Sequence, residues 1–158
     1  MKPLVAVVGG SECTAAEAEV AEEVGRRLAQ AGAVVLCGGL TGVMEAVARG
    51  VRAGGGLTIG ILPGNDPADA NRFVDIPLAT GMGEMRNALI VRAAGAVIAI
   101  GGSYGTLSEI ALALRIGTPV VGLHDRFVAA VDIPRASDAA AAVGLALAQT
   151  ARSRDPGS

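Results

Sequence analysis

The stretch Ala96-Val97-Ile98-Ala99-Ile100-Gly101-Gly102-Ser103-Tyr104-Gly105-Thr106-Leu107-Ser108-Glu109 reads as strand, turn and helix in direct succession. Five apolar residues with no polar alternation are the pattern of a parallel strand covered on both faces. Glycines then end the strand. Leu107, Ile110, Ala111 and Leu114 follow at helical spacing as far as Gly117, a glycine stop. A strand buried on both faces that feeds an amphipathic helix is the repeating unit of an open α/β sheet.

The same unit recurs on either side. Leu4 to Val8 is a β-branched run closed by Gly9-Gly10, and Thr14-Ala15-Ala16-Glu17 is a capping-box pattern that opens a helix. In that helix Ala18, Ala21, Val24, Leu28 and Ala31 share a face, Glu19, Glu22, Glu23 and Arg26 face water, and Gly32 closes it. Ala33 to Leu36 is a second strand and Val43 to Ala53 a second helix, joined by Gly38-Gly39-Leu40-Thr41-Gly42. Thr58 to Leu62 reads as a third strand, Pro63 to Arg72 as the longest loop, and Phe73 to Ile76 as a short fourth strand. A helix is expected over Glu84 to Ala94, a strand over Pro119 to Leu123 and a last helix over Ser137 to Ala151. No period of 20–50 residues marks a repeat protein. The pattern predicts one domain over residues 1–151, a doubly wound, mainly parallel sheet with helices on both faces, and a disordered polar tail over residues 152–158.

Composition narrows the function. Over 158 residues the net charge is −2, so no basic field exists to attract a nucleic-acid backbone. Lys2 is the only lysine, which excludes a P-loop ending in Gly-Lys-Ser/Thr. His124 is the only histidine, and Cys13 and Cys37 lie far apart in no metal-ligand spacing, so no metal site is expected. Two isolated cysteines read as reduced thiols that act as small apolar fillers. No apolar run reaches the ~18 residues of a membrane span, and the expectation is a soluble cytoplasmic protein without membrane partners.

In such a sheet ligands sit beyond the carboxyl ends of the strands, where three turns are glycine-rich. A glycine backbone can approach a ligand closely, and the free N–H groups of the helix that follows carry partial positive charge. A small phosphorylated ligand is therefore the expected partner. The residues predicted to hold it are Gly9, Gly10 and Ser11 in the first turn and Gly38, Gly39 and Gly42 in the second. Gly101, Gly102, Ser103, Tyr104, Gly105 and Thr106 serve in the third. None of the turns carries GxGxxG followed by a ribose-binding acid, so a dinucleotide dehydrogenase is not the reading.

Gly101 to Gly105 also fits GxSxG, the nucleophile elbow of esterases. Such a triad needs an acid and then a histidine downstream; here Asp125 follows His124, and the chain is short for that fold. His124 is expected only as a strand-end residue near the rim. Thr106-Leu107-Ser108-Glu109 has the form of a capping box, which makes Glu109 either a helix cap or a carboxylate aimed at the turn's ligand. Arg86, near the start of the preceding helix, is its natural counterpart, a guanidinium able to grip a phosphate bidentately.

On these residues the chain resembles the Lonely Guy (LOG) proteins and their wider SLOG superfamily of Rossmann-like nucleotide-binding proteins. The resemblance runs from Val5 to about Leu123. It rests on Gly9-Gly10-Ser11, on Gly38 to Ala48, on Ile59 to Pro63, and above all on Gly101 to Glu109, which is similar to PGGxGTxxE, with Arg86 at the arginine of the preceding motif. The resemblance implies hydrolysis of the N-glycosidic bond of a nucleoside 5′-monophosphate, with Glu109 and Arg86 as catalytic residues, the turn from Gly101 to Thr106 on the phosphate, and no required cofactor.

Three positions depart from the LOG pattern. One extra residue stands between Gly102 and Gly105, Ile100 replaces a proline, and Asn87 replaces a lysine beside Arg86. Gly81-Met82-Gly83-Glu84-Met85-Arg86-Asn87 is more similar to a neighbouring bacterial branch near the molybdenum-cofactor carrier proteins. That similarity implies a non-catalytic binder of a nucleotide or the molybdenum cofactor, with Asn87 among the binding residues. The apolar content of Val43 to Ala53 and Glu84 to Ala94 exceeds what a small monomer hides, and a homodimer or higher homo-oligomer is expected.

Overall fold

Six parallel strands form one sheet in the computed structural model, which describes residues 1–127 and 129–153. They are β1 (Leu4–Gly9), β2 (Val34–Cys37), β3 (Leu57–Leu62), β4 (Ile76–Ala79), β5 (Ala96–Ile100) and β6 (Val120–Leu123), in the order β4-β3-β2-β1-β5-β6. Five helices connect them: α1 (Ala15–Gln30), α2 (Val43–Ala53), α3 (Asn87–Ala93), α4 (Tyr104–Ile116) and α5 (Ala139–Ser153). This is the doubly wound, Rossmann-like α/β fold expected.

Strand periodicity sorts the core into two layers. Val5, Val7, Val35, Cys37, Ile98 and Ile100 pack against α1, α2 and α5, whereas Ala6, Val8, Leu36, Ile61, Val97 and Ala99 pack against α3 and α4. All five residues of β5 are buried, as expected for a central strand. The side chains are small, so the layers approach closely. The closest approach is between α1 and α2, where a Cβ on Gly25 would lie 2.2 Å from the Val47 carbonyl oxygen and one on Gly50 would lie 1.9 Å from that of Glu22. The two helices touch through main chain.

Besides shifts of one or two residues at element ends, four features differ from the expectation. β4 begins at Ile76, because Asn71 holds the preceding segment as a turn: its side chain donates to the Leu40 carbonyl (2.7 Å) and accepts from the Phe73 N–H (3.0 Å). The helix expected over Glu84 to Ala94 is a 3₁₀ turn, Gly83–Arg86, followed by α3. The connection from β6 to α5 is longer than the loop after β3, which contains its own 3₁₀ turn, Pro67–Asp69. Finally, α5 continues through Ser153, so Arg152 and Ser153 belong to the helix; residues 154–158 of the expected tail lie outside the described residues. Among the described residues no helix is long and apolar enough to cross a membrane.

Candidate functional site

The chain leaves β1 toward β2 and leaves β5 toward β6, so the sheet has its topological switch point between β1 and β5. Outside their carboxyl ends the two turns diverge and open a crevice. A cleft of about 220 Å³ lies there, lined by Gly9, Ser11, Leu40, Met44, Pro63, Glu84, Arg86, Asn87, Ser103, Gly105, Thr106 and Glu109.

Arg86 closes the 3₁₀ turn before α3 and is 8% exposed. Its Nε donates to the Ile61 carbonyl (2.8 Å), one Nη to Asn87 Oδ1 and the other to the Gly38 carbonyl (3.5 Å). These acceptors come from the ends of β3 and β2 and from α3, so three elements aim one guanidinium. Gly38 makes the room: a Cβ there would lie 2.9 Å from the guanidinium nitrogen. No described carboxylate lies within ion-pair distance, and burial pulls the Arg86 pKa below its ordinary value while Glu109, at longer range, pulls it back. A guanidinium does not lose its proton in a protein, so the cleft holds a buried cation with no ion-pair partner among the described residues.

Glu109 is not a helix cap. The helix starts earlier than the capping-box pattern implied, with Ser103 as N-cap, and the Ser103 N–H donates to Thr106 Oγ1 (3.4 Å). Glu109 therefore sits inside α4 beyond its first turn, 7% exposed, and no described residue donates a hydrogen bond to it. Among the described residues, Thr58 Oγ1 is the only wholly buried side-chain polar atom without a partner, so the Glu109 carboxyl oxygens open on the cleft. Burial pushes the Glu109 pKa up to about 8, with Arg86 pulling it down more weakly. At neutral pH this group is a carboxylic acid with a proton to give.

Behind the cleft, the β5 turn is fixed by another set of contacts. Gly101 has φ 58° and its N–H donates to the His124 carbonyl (3.2 Å), while its own carbonyl accepts from the Arg126 N–H (3.3 Å). A Cβ on Gly101 would lie 2.7 Å from the carboxyl carbon of Glu17. Glu17 completes the expected capping box with Thr14, accepting from its N–H (3.1 Å), and also accepts from Arg126 (2.7 Å). The Phe127 ring stands over Gly102.

Of the residues predicted from sequence, Gly9, Ser11, Arg86, Asn87, Ser103, Gly105, Thr106 and Glu109 meet at the cleft. Gly10 and Gly42 stack the first two turns on each other, the Gly10 carbonyl accepting from the Val43 N–H (3.0 Å). Gly38 makes room for Arg86, the Gly39 carbonyl accepts from the Asn71 N–H (2.9 Å), and Gly101 and Gly102 back the third turn. Tyr104, the first residue of α4, is 91% exposed and does not line the cleft. Leu40, Met44, Pro63 and Glu84 line the cleft without having been singled out. An apolar lining residue looks like core in a sequence; Pro63, directly after a strand at the crevice end, carried the one usable signal. Among the described residues no group of three His, Cys, Asp or Glu side chains could hold a metal ion.

Comparison with known proteins agrees with this fold. A family model described as the SLOG cluster4 family matches residues 2–151. An uncharacterized protein of Archaeoglobus fulgidus is 45% identical over 75% of this chain and 78% of its own length. A probable cytokinin riboside 5′-monophosphate phosphoribohydrolase of Oryza sativa is 33% identical over 71% of this chain, which spans 51% of that longer protein. Among solved structures, the molybdenum cofactor binding protein of Rippkaea orientalis superposes with a TM-score of 0.87 at 34% identity, covering 94% of this chain and 97% of that one. The molybdenum cofactor carrier protein of Chlamydomonas reinhardtii gives 0.85 at 31% identity, covering 96% and 99%.

Proposed function

The chain belongs to the SLOG cluster4 family, and we propose on that premise that it binds a small phosphorylated heterocyclic ligand, a nucleotide or the molybdenum cofactor, in the cleft at the switch point. The observation that carries this reading is Arg86, a buried cation without an ion-pair partner among the described residues. A phosphate fits between Arg86 and the first turn of α4, whose N–H groups lack helical acceptors and whose dipole favours an anion. Leu40, Met44 and Pro63 offer the apolar wall against which a flat heterocycle lies. The phosphorylated cofactor named for the Rippkaea and Chlamydomonas proteins and the nucleotide named for the rice protein share this chemistry. Calorimetric titration with nucleoside monophosphates tests it. Binding is expected for the native chain and about 100-fold weaker binding for Arg86→Gln, which removes the charge. Equal affinity for both proteins overturns the site.

A second reading has its own observation, Glu109. A carboxyl held protonated up to about pH 8 at the cleft wall suits general-acid cleavage of an N-glycosidic bond. Glu109 gives its proton to the departing base nitrogen as the bond to C1′ breaks, Arg86 holds the 5′-phosphate, and water adds to C1′. The proton lost by that water restores Glu109. Free base released from AMP or GMP by the native chain, and lost in Glu109→Gln, supports hydrolysis; no release from either leaves a binding protein.

Self-association belongs to the same proposal. Met82, Met85 and Leu89 stand exposed beside the cleft, whereas the apolar residues of α2 are spent inside the fold, against the expectation that both helices would leave apolar surface. Light scattering that returns a dimer or larger mass supports it and a monomer mass refutes it. A cytoplasmic location belongs to the same proposal, and Cys13 and Cys37 are free thiols.

A further inference from the structure

The Asn87 amide nitrogen and the Glu84 carboxylate line the cleft and take no part in the phosphate site or the apolar wall. Asn87 accepts from Arg86, and because a guanidinium can only donate, the accepting atom must be the amide oxygen. The Asn87 amide nitrogen is thus the end left for a ligand, and no described residue accepts from it. Glu84 lies three positions earlier, across the 3₁₀ turn, a spacing that places both side chains on one side of the segment. Both line the cleft, Glu84 as an exposed carboxylate with no ion pair within 4.0 Å among the described residues. The segment therefore presents one donor followed by a pair of acceptors.

We propose that Glu84 and Asn87 make the cleft selective for a heterocycle whose polar edge runs acceptor, donor, donor, the pattern shared by guanine and pterin. Asn87 donates to the ring carbonyl, and the two Glu84 oxygens accept from the ring N–H and the exocyclic amino group. Adenine presents the wrong edge, setting an amino group against the Asn87 amide nitrogen. Hypoxanthine keeps the carbonyl and ring N–H but lacks the amino group, so Glu84 loses one of two bonds. This selectivity rests on the ligand-binding reading above and names the ligand that site takes.

The test is calorimetric titration of the native chain and Glu84→Gln with GMP, IMP, AMP and a phosphorylated pterin. The native chain is expected to bind GMP about tenfold more tightly than IMP, with AMP weakest, since a bidentate contact to a base edge discriminates by about that much. In Glu84→Gln the gap between GMP and IMP closes, and the pterin weakens in parallel with GMP. Whichever of GMP and the pterin binds the native chain more tightly identifies the source of the edge. Native affinities for GMP, IMP and AMP within a factor of two overturn the selectivity, as does a Glu84→Gln protein that weakens all probes equally. In both cases, binding that still depends on Arg86 leaves the ligand site standing. Failure of every phosphorylated probe to bind removes the site and the selectivity together.

Discussion

Glu17 and Glu109 are buried to the same degree, 7% exposed each, on helices that cover opposite faces of the sheet, and each stands beside the β5 turn. Glu17 has a partner on each oxygen: it accepts from the Thr14 N–H and from Arg126, and it fills the space that a side chain on Gly101 would take. Glu109 accepts nothing from the described residues, and its arginine stands beyond ion-pair distance. Burial costs a carboxylate several kcal/mol unless partners compensate. Glu17 meets that cost with hydrogen bonds and stays where it stabilises the fold. Glu109 meets it by keeping its proton, a solution that contributes nothing to stability in alkali and leaves a reactive group facing a ligand. At equal burial, the presence or absence of a partner separates the brace from the site.

The largest effect that bears on this contrast is the pH dependence of folding. Glu109 ionises near 4.5 ordinarily and near 8 in the fold. Between those values the native chain carries one proton more than the unfolded chain, so its contribution to stability is full below about 4.5 and is lost as pH rises through 8. Urea denaturation is expected to show native stability falling by up to about 1.4 kcal/mol per pH unit in that window from this group. Glu109→Gln should flatten the slope and be the more stable protein at pH 9. A slope that survives the substitution would break the contrast.

Glu17→Gln acts in the other direction, with a smaller size. It loses the ionic partner of Arg126, for an expected destabilisation of about 1–2 kcal/mol at pH 7 that leaves the Glu109 slope unchanged. Arg126→Ala should cost less, about 0.5–1 kcal/mol, because Arg126 is half exposed and water replaces its contacts. Arg126→Ala weakens ligand affinity only to the extent that the 101–102 turn shifts, whereas Arg86→Gln removes affinity without needing any shift. Equal losses of affinity in the two variants would make the rear brace part of the binding site.

The fold was legible because apolar strands and periodic helices alternate along most of the chain, and the uninterrupted apolar run of β5 marked the sheet as parallel. Much of the site was legible for a related reason, since the strand-to-helix turns must lie at the crevice and Arg86 and Glu109 fell on motif positions. What stayed hidden depends on contacts between segments distant in sequence. The pairing of Glu17 with Arg126 spans 109 positions, and the local pattern showed only the cap with Thr14. The start of β4 was displaced by Asn71, which reaches across to Leu40. Glu109 looked like a cap because Thr106 resembles an N-cap residue, but Ser103 begins the helix earlier.

The contact at Gly25 and Gly50 sets a limit on redesign. Where α1 and α2 meet through main chain, their separation is set by van der Waals contact between the two backbones, and no choice of side chain can bring them closer. These two helices and the turns from which they spring supply Gly9, Ser11, Leu40 and Met44 to the cleft, so that wall is as fixed as the helices. An engineer who wants this scaffold to accept a bulkier ligand must therefore find the volume by trimming Leu40, Met44 and Pro63, because moving the wall would mean separating two backbones that already touch.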